Sequence, residues 1–351
     1  MFLAWNEIKH DKLRYGLITM MIVLVGYLIF ILTSLAIGLA NQNTQAINSW
    51  QPKTIILNKD ANINIGQSKI TTAQLSHMKI NSRDSSIIGN TPVVVTGHQK
   101  VSGQFIGLNQ QQYIYKHLQI TSGHKATKSY EVVADTSLQQ NGYHLGSQIK
   151  LNSSKQTYRI VGFTKNAKLN IAPVLYGTMT DWHQISNLGN DFAGNAIISK
   201  TNLPAHNQQL HSYSLQTVVQ NLPGYSAQNM TFSFMIGFLM VISLIVIAVF
   251  LYILTMQKMQ NYAVIRAQGI PATFLVKATL IQSVILVGMG IIGSLFLTWA
   301  TFAALPAAVP IDFNLPIIGA TIIGLLFTGI IGAIIPSWMI MRIDPAEAIG
   351  G

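Results

Sequence analysis

The sequence contains no cysteine. That excludes disulfides, thiolate metal sites, thiol-linked haem attachment and a cysteine nucleophile. Charge is nearly as scarce: 9% of the 351 residues are Asp, Glu, Lys or Arg, against about 25% in an ordinary soluble protein. Half of the residues are apolar and the mean hydropathy is +0.38. These values exclude a typical soluble enzyme and a disordered chain. There is no phosphate-binding G-x-x-x-x-G-K-[ST] loop, no H-E-x-x-H and no G-x-S-x-G, so nucleotide binding, zinc hydrolysis and serine hydrolysis lose their usual devices. What is present is basic: 22 Lys and Arg face 11 acids, a net charge of +11. With apolar residues in long blocks, an anionic membrane surface is a better partner than nucleic acid.

Four runs carry no charged residue: Leu17–Ala40, Met230–Met256, Ala278–Leu305 and Leu315–Ile340. The shortest would reach about 36 Å as a helix and so span a roughly 30 Å hydrocarbon core. Lys9, Lys12 and Arg14 before the first run also fit a secretion signal. Its apolar stretch, however, is about twice the usual 7–15 residues, which favours an anchor. Lys258, Arg266 and Lys277 lie between the second and third runs, and Arg342 follows the fourth. The turn 306–314 has no Lys or Arg. Positive flanks face the cytoplasm, so the expected plan is a cytoplasmic segment 1–16, spans 17–40, 230–256, 278–305 and 315–340, an extracellular domain 41–229, a cytoplasmic segment 257–277, an extracellular turn 306–314 and a cytoplasmic tail 341–351.

The 41–229 domain holds fifteen basic residues and six acids. Long translocated domains escape the charge rule. Alternating runs at 92–97, 113–118 and 157–163 predict strands, Asn141-Gly142 and Leu145-Gly146 predict turns, and short helices fit near Leu75 and over 181–188. Residues 204–220 read as a helix returning to the membrane. The fold class expected is a membrane protein with four transmembrane helices and a large β-rich α/β domain between helices 1 and 2. Eight of nine histidines lie in the domain, and only His206 and His211 are close in sequence. Solvated surface histidines are the better reading than a metal site.

No ionisable group lies inside the apolar runs, which argues against an ion-coupled carrier and for energy from elsewhere. Small residues recur every fourth position at Gly290, Ser294 and Thr298, and at Ala320, Gly324, Thr328 and Gly332. Such stripes allow close helix packing, and the third and fourth helices are expected to touch. Met230, Phe234 and Met235 open the second run, and thioethers beside aromatic rings make an adaptable apolar surface. Together with Tyr27 they are the candidate substrate-binding residues. Lipid-facing packing is the plainer alternative. Residues 257–271 form a polar, helix-prone segment stopped by Gly269 and Pro271, with Met259, Ala263 and Ile265 available to a partner. In the tail, Asp344, Pro345 and Glu347 fit a capped short helix.

Three stretches resemble the MacB/FtsX-type permeases of ABC systems. They are Val264-Ile-Arg-Ala-Gln-Gly-Ile270, the tail Asp344-Pro-Ala-Glu-Ala-Ile349, and a β module with Glu131-Val-Val-Ala-Asp135, Gly142, Leu145-Gly146 and Tyr158-Arg-Ile-Val-Gly162. The opening Ala4-x-x-Glu7-Ile8 with Lys12-x-Arg14-Tyr15 and Leu17-Ile-Thr19, the segment 253–269 and the ending 344–351 most resemble the HrtB-type haem exporter permeases of Gram-positive bacteria. The resemblance implies a non-enzymatic, multi-pass permease in the bacterial cell membrane. It would act as a homodimer with a separate HrtA-like ATPase that carries ATP-Mg. Coupling falls to Val264, Ile265, Arg266 and Gly269, and docking to Asp344, Pro345 and Glu347. It implies no intrinsic cofactor and no metal, with haem as the transported substrate. One departure stands out: the acid expected just after the first helix is missing, because residues 40–52 contain none. Export of an amphiphilic peptide or another toxic hydrophobic compound, force transmission to an outer partner without cargo, and a membrane-anchored binding protein remain alternatives.

Overall fold

The computed structural model describes residues 11–343 except 77, 79, 153, 206, 207, 307 and 308. Asp344, Pro345 and Glu347, residues 1–10 and His206 therefore lie outside the described residues. The chain divides into two compact units, Met1–Gly38 with Met230–Gly351, and Leu39–Asn229.

The first unit is helical. Four helices are long and apolar enough to cross a membrane: Lys12–Trp50, Tyr225–Gln257, Ala272–Ala304 and Leu315–Met341. The first is 39 residues long and continues past Ala40 to Trp50. The fourth breaks at Ala333 and resumes as Ile334–Met341. Pro336 sits in the first turn of the resumed helix, where a missing N–H costs least. A short helix, Met259–Ala267, joins the second long helix to the third.

Small residues set the helix contacts, though not between the partners that the sequence suggests. The third and fourth helices do touch, through Ser283, whose Oγ donates to the Gly329 carbonyl at 2.7 Å. The stripe of Gly290 and Ser294 instead faces the first helix. A Cβ on Gly290 would lie 2.3 Å from Ile22, and one on Gly26 would lie 2.4 Å from Ser294 Oγ. Ser294 Oγ also donates to the Val23 carbonyl at 2.9 Å. Gly324 and Gly332 of the fourth helix face Met240, Ile247 and Ala248 of the second. Spacing shows that a face is small. It does not show which neighbour fills it.

The second unit is a mixed sheet. Its strands are β1 (Thr54–Asn58), β2 (Ile70–Thr71), β3 (Ser85–Thr96), β4 (Val101–Leu108), β5 (Ser122–Gly123), β6 (Glu131–Asp135), β7 (Gln148–Leu151), β8 (Thr157–Thr164), β9 (Lys168–Leu169), β10 (Ala172–Thr178), β11 (Phe192–Gly194), β12 (Ala196–Ser199) and β13 (Leu210–Ser214). The main path runs β13-β1-β12-β3-β4-β10-β6-β8-β5, and β7 pairs with both β3 and β8. Strands β3, β4, β10, β6, β8 and β7 therefore close into a ring, which removes exposed edges from that part of the sheet. Within the ring β4–β10 and β6–β8 are parallel. Its filling includes Val95, Phe105, Val132, Leu138, Tyr158, Phe163, Leu175 and Trp182, all buried.

The long β3 belongs to two sheet regions. Its first half pairs with β12 and its last residues pair with β7. The gap between them would orphan backbone N–H groups. Asn195 Oδ1 accepts from the Asn90 N–H, Asn152 Oδ1 accepts from the Val94 N–H, and Pro92 has no N–H to satisfy.

Two local expectations fail. Residues 113–117 form a helix, with Tyr113 and Ile114 adjacent and both buried. A run this short alternates by chance. Residues 204–220 are not one helix: β13 pairs with β1, and only Leu215–Gln220 is helical, capped by Ser214. The helix Met179–Ser186 carries a capping box between Thr178 and Asp181.

Gly38→Ala should lower thermal stability, because the new Cβ would meet the Pro310 carbonyl oxygen at 2.0 Å. The cost expected is about 1–3 kcal/mol. Gly319→Ala, with open space around its Cβ, should not. Melting temperatures of both variants in detergent check this.

Candidate functional site

Two places in the helical unit carry candidate residues. The first is the end of the bundle where the chain turns from the second helix to the third. The short helix Met259–Ala267 buries Tyr262 and Ala263 against Leu275, Ile340 and Ile343, with Met259 and Ile265 packed alongside. Ala263, read from sequence as available to a partner, is thus fully used within the chain. Arg266 donates through Nη1 to the Ile343 carbonyl. The guanidinium thereby satisfies a carbonyl just beyond the fourth helix, where positive charge is favoured. Val264 is 49% exposed. Gly269 has φ +90°, and nothing lies within 4 Å of its would-be Cβ. Glycine is needed there for its backbone, not for space. The four candidate coupling residues share one elbow, braced by the end of the fourth helix.

Sequence reasoning missed a polar node at the same end. Lys258 Nζ donates to the Tyr15 hydroxyl at 3.0 Å and lies 5.4 Å from the centre of its ring. Gln282 Nε2 also donates to that hydroxyl. Lys258 approaches Asp11 at 4.0 Å, and Arg14 Nη1 donates to Gln257 Oε1 at 2.7 Å. The first, second and third helices are thus tied together by hydrogen bonds that lipid cannot replace. The available signal was Gln282, a lone amide inside an apolar run.

The second place is a groove on the second helix of about 520 Å³, lined by Met230, Ser233, Phe234, Gly237, Phe238 and Val241. These positions recur at three, four and seven residues, one helical face. Phe234 and Phe238 are 65% and 68% exposed. The structure brings Met230 and Phe234 together there and leaves Met235 and Tyr27 out. Met235 projects elsewhere on the helix, five residues from Met230. The Tyr27 hydroxyl pairs with Thr301 Oγ1 at 3.0 Å. Among the described residues, no group of three His, Asp or Glu side chains is placed to hold a metal ion.

Residues 233–345 match the family model described as FtsX-like permease C-terminal. Over 356 aligned residues the chain is 26% identical to a Staphylococcus haemolyticus protein named "Putative hemin transport system permease protein HrtB", covering 100% of this chain and 99% of that one. A Staphylococcus epidermidis protein of the same name is 24% identical over 354 residues, with the same coverage. Two solved structures share weaker likeness. The periplasmic region of MacB from Actinobacillus actinomycetemcomitans has TM-score 0.37 and 14% identity, covering 50% of this chain and 94% of that one. The extracellular domain of the transporter YknZ from Gram-positive bacteria has TM-score 0.31 and 13% identity, covering 43% and 83%. The chain is thus a membrane-embedded protein whose last three long helices match the FtsX-like permease C-terminal model and whose whole length is similar to permeases named for hemin transport.

Proposed function

We propose that the chain is the membrane half of an ATP-driven exporter that takes an apolar or amphiphilic compound from the bilayer, with haem as the first candidate. The elbow at 259–269 carries this reading. It is a short helix rigidly packed on the end of the fourth helix, with Val264 turned outward and a glycine hinge behind it. A separate ATPase pressing on such a surface would move the second, third and fourth helices together. The termini and the elbow would face the cytoplasm and the 39–229 domain the outside, and two copies would form the working unit. The groove of Met230, Phe234 and Phe238 offers cargo a flat apolar face, and methionine sulfur can ligate haem iron. The names of the hemin permease relatives support haem. The missing acid in residues 40–52 keeps an amphiphilic peptide as the second reading.

Orientation is tested with single cysteines, since the chain has none. Gln156→Cys, exposed in the inserted domain, should react with an impermeant thiol reagent in intact cells, and Gln268→Cys should not. The opposite pattern would invert the topology.

Coupling is tested by Arg266→Glu and Gly269→Val. Both should insert normally and lose at least about fivefold of the stimulation given to the partner ATPase. Wild-type stimulation in both would remove the elbow from the mechanism.

Cargo is tested with haemin and the purified protein. Met230→Leu keeps the volume and removes the sulfur, so it should shift the Soret band, and Phe234→Ala should weaken binding. Met235→Leu and Tyr27→Phe, outside the groove, should do neither. If the wild type does not bind haemin, the peptide or amphiphile reading takes first place.

A further inference from the structure

The inserted domain contains a cavity unrelated to the groove on the second helix. Its space is about 260 Å³, below the roughly 300–1,000 Å³ typical of pockets for drug-sized ligands. It suits a head group or a small molecule rather than a macrocycle. The floor is aromatic and buried: Trp50, Tyr113 and Tyr176 are each 3% exposed or less. Their polar atoms are occupied with one another. Trp50 Nε1 donates to the Tyr176 hydroxyl at 3.3 Å, and the Tyr113 hydroxyl donates to the Trp50 carbonyl at 3.3 Å. Burial pushes both phenols well above the ordinary tyrosine range, so they stay neutral.

The wall is cationic. Lys165, Lys200 and His117 line it, and none of the lining residues is an Asp or Glu. Lys200 Nζ lies 5.2 Å from the centre of the Tyr113 ring. The imidazole of His117 is held by its Nδ1 to the Tyr113 carbonyl at 2.9 Å. Asp135 and Asp181 are buried and accept backbone hydrogen bonds, Asp135 from the Ala167 N–H behind the wall, and Glu131 accepts from the Thr127 and Lys128 N–H groups. The Asp84 carbonyl accepts from the Lys200 N–H, and its carboxylate accepts from Asn81 Nδ2. None of these carboxylates lines the cavity beside Lys165 and Lys200.

We propose that this cavity binds an oxyanion, a carboxylate or phosphate carried on a small apolar body. The lysines would pair with the anionic group, and the aromatic floor would hold the body. A lipid head group and a soluble aromatic acid or phosphate ester share this chemistry.

The test uses full-length protein in phosphatidylcholine nanodiscs and titration calorimetry with phenyl phosphate, benzoate and neutral benzyl alcohol. At least one anion should bind at least about tenfold more tightly than the alcohol, as expected when charged hydrogen bonds contribute. Lys165→Gln with Lys200→Gln should weaken the anion by about tenfold or more. The exposed Lys165→Gln alone, which disturbs no packing, should move the same way. Lys100→Gln with Lys150→Gln removes equal charge at exposed positions of the β3–β4 turn and β7, outside the cavity lining, and should leave binding unchanged. Adding phosphatidylglycerol to the nanodiscs separates the sources. Competition that depends on Lys165 and Lys200 identifies a lipid head group, and unchanged affinity identifies a soluble anion. Equal losses in the two lysine pairs, equal binding of benzyl alcohol, or no binding of either anion would overturn the proposal.

Discussion

Close backbone contact holds the helical unit together. Its four apolar runs contain no charge, and lipid gives apolar side chains no reason to prefer one another over acyl chains. What remains is packing and hydrogen bonding at small residues. Gly26 and Gly290 let the first and third helices approach until Ser294 Oγ reaches the Val23 carbonyl. Gly329 does the same for the fourth helix against Ser283. Gly38 admits the Pro310 carbonyl, and the Asp312 N–H donates to the Ser34 carbonyl at 3.2 Å. These contacts fix the first helix against the third and the third against the fourth.

With the helices so fixed, their ends can act as a unit. The Tyr15 hydroxyl collects Lys258, from the turn that ends the second helix, and Gln282 of the third. The elbow then leans on the resumed fourth helix through Ala263, Ile340 and Ile343. A load on Val264 would meet packed residues behind it rather than a flexible loop. Behind it Gly269 turns the chain toward the third helix with a positive φ that glycine adopts without strain.

Much of this architecture is legible in the sequence, because charge-free runs longer than a bilayer is thick have few other uses. Four membrane helices and a β-rich insertion follow from that pattern. The helix partners do not: Gly290 and Gly324 lie on recognisable stripes, but only the fold assigns them to Ile22 and Met240. Closure of the strand ring depends on β7 pairing with both β3 and β8, and on Asn152 and Asn195 completing the exposed stretch of β3. Asparagines in loops give no such notice. Of the candidate cargo residues, Met230 and Phe234 share a groove while Tyr27 is tied to Thr301. The helical angle between Met230 and Met235 already separates those two. Lys200 and Trp50 are 150 positions apart, and no local pattern joins them at one cavity.

ATP-driven export through this permease requires the elbow to move with the nucleotide state of a partner ATPase. A spin label at Val264→Cys, in permease reconstituted with its ATPase, reports the distance between elbows of paired copies by pulsed electron resonance. The expected result is a pair of labels whose separation differs by several ångströms between the ATP-trapped and nucleotide-free states. Identical distance distributions in the two states, with ATP hydrolysis intact, would contradict it.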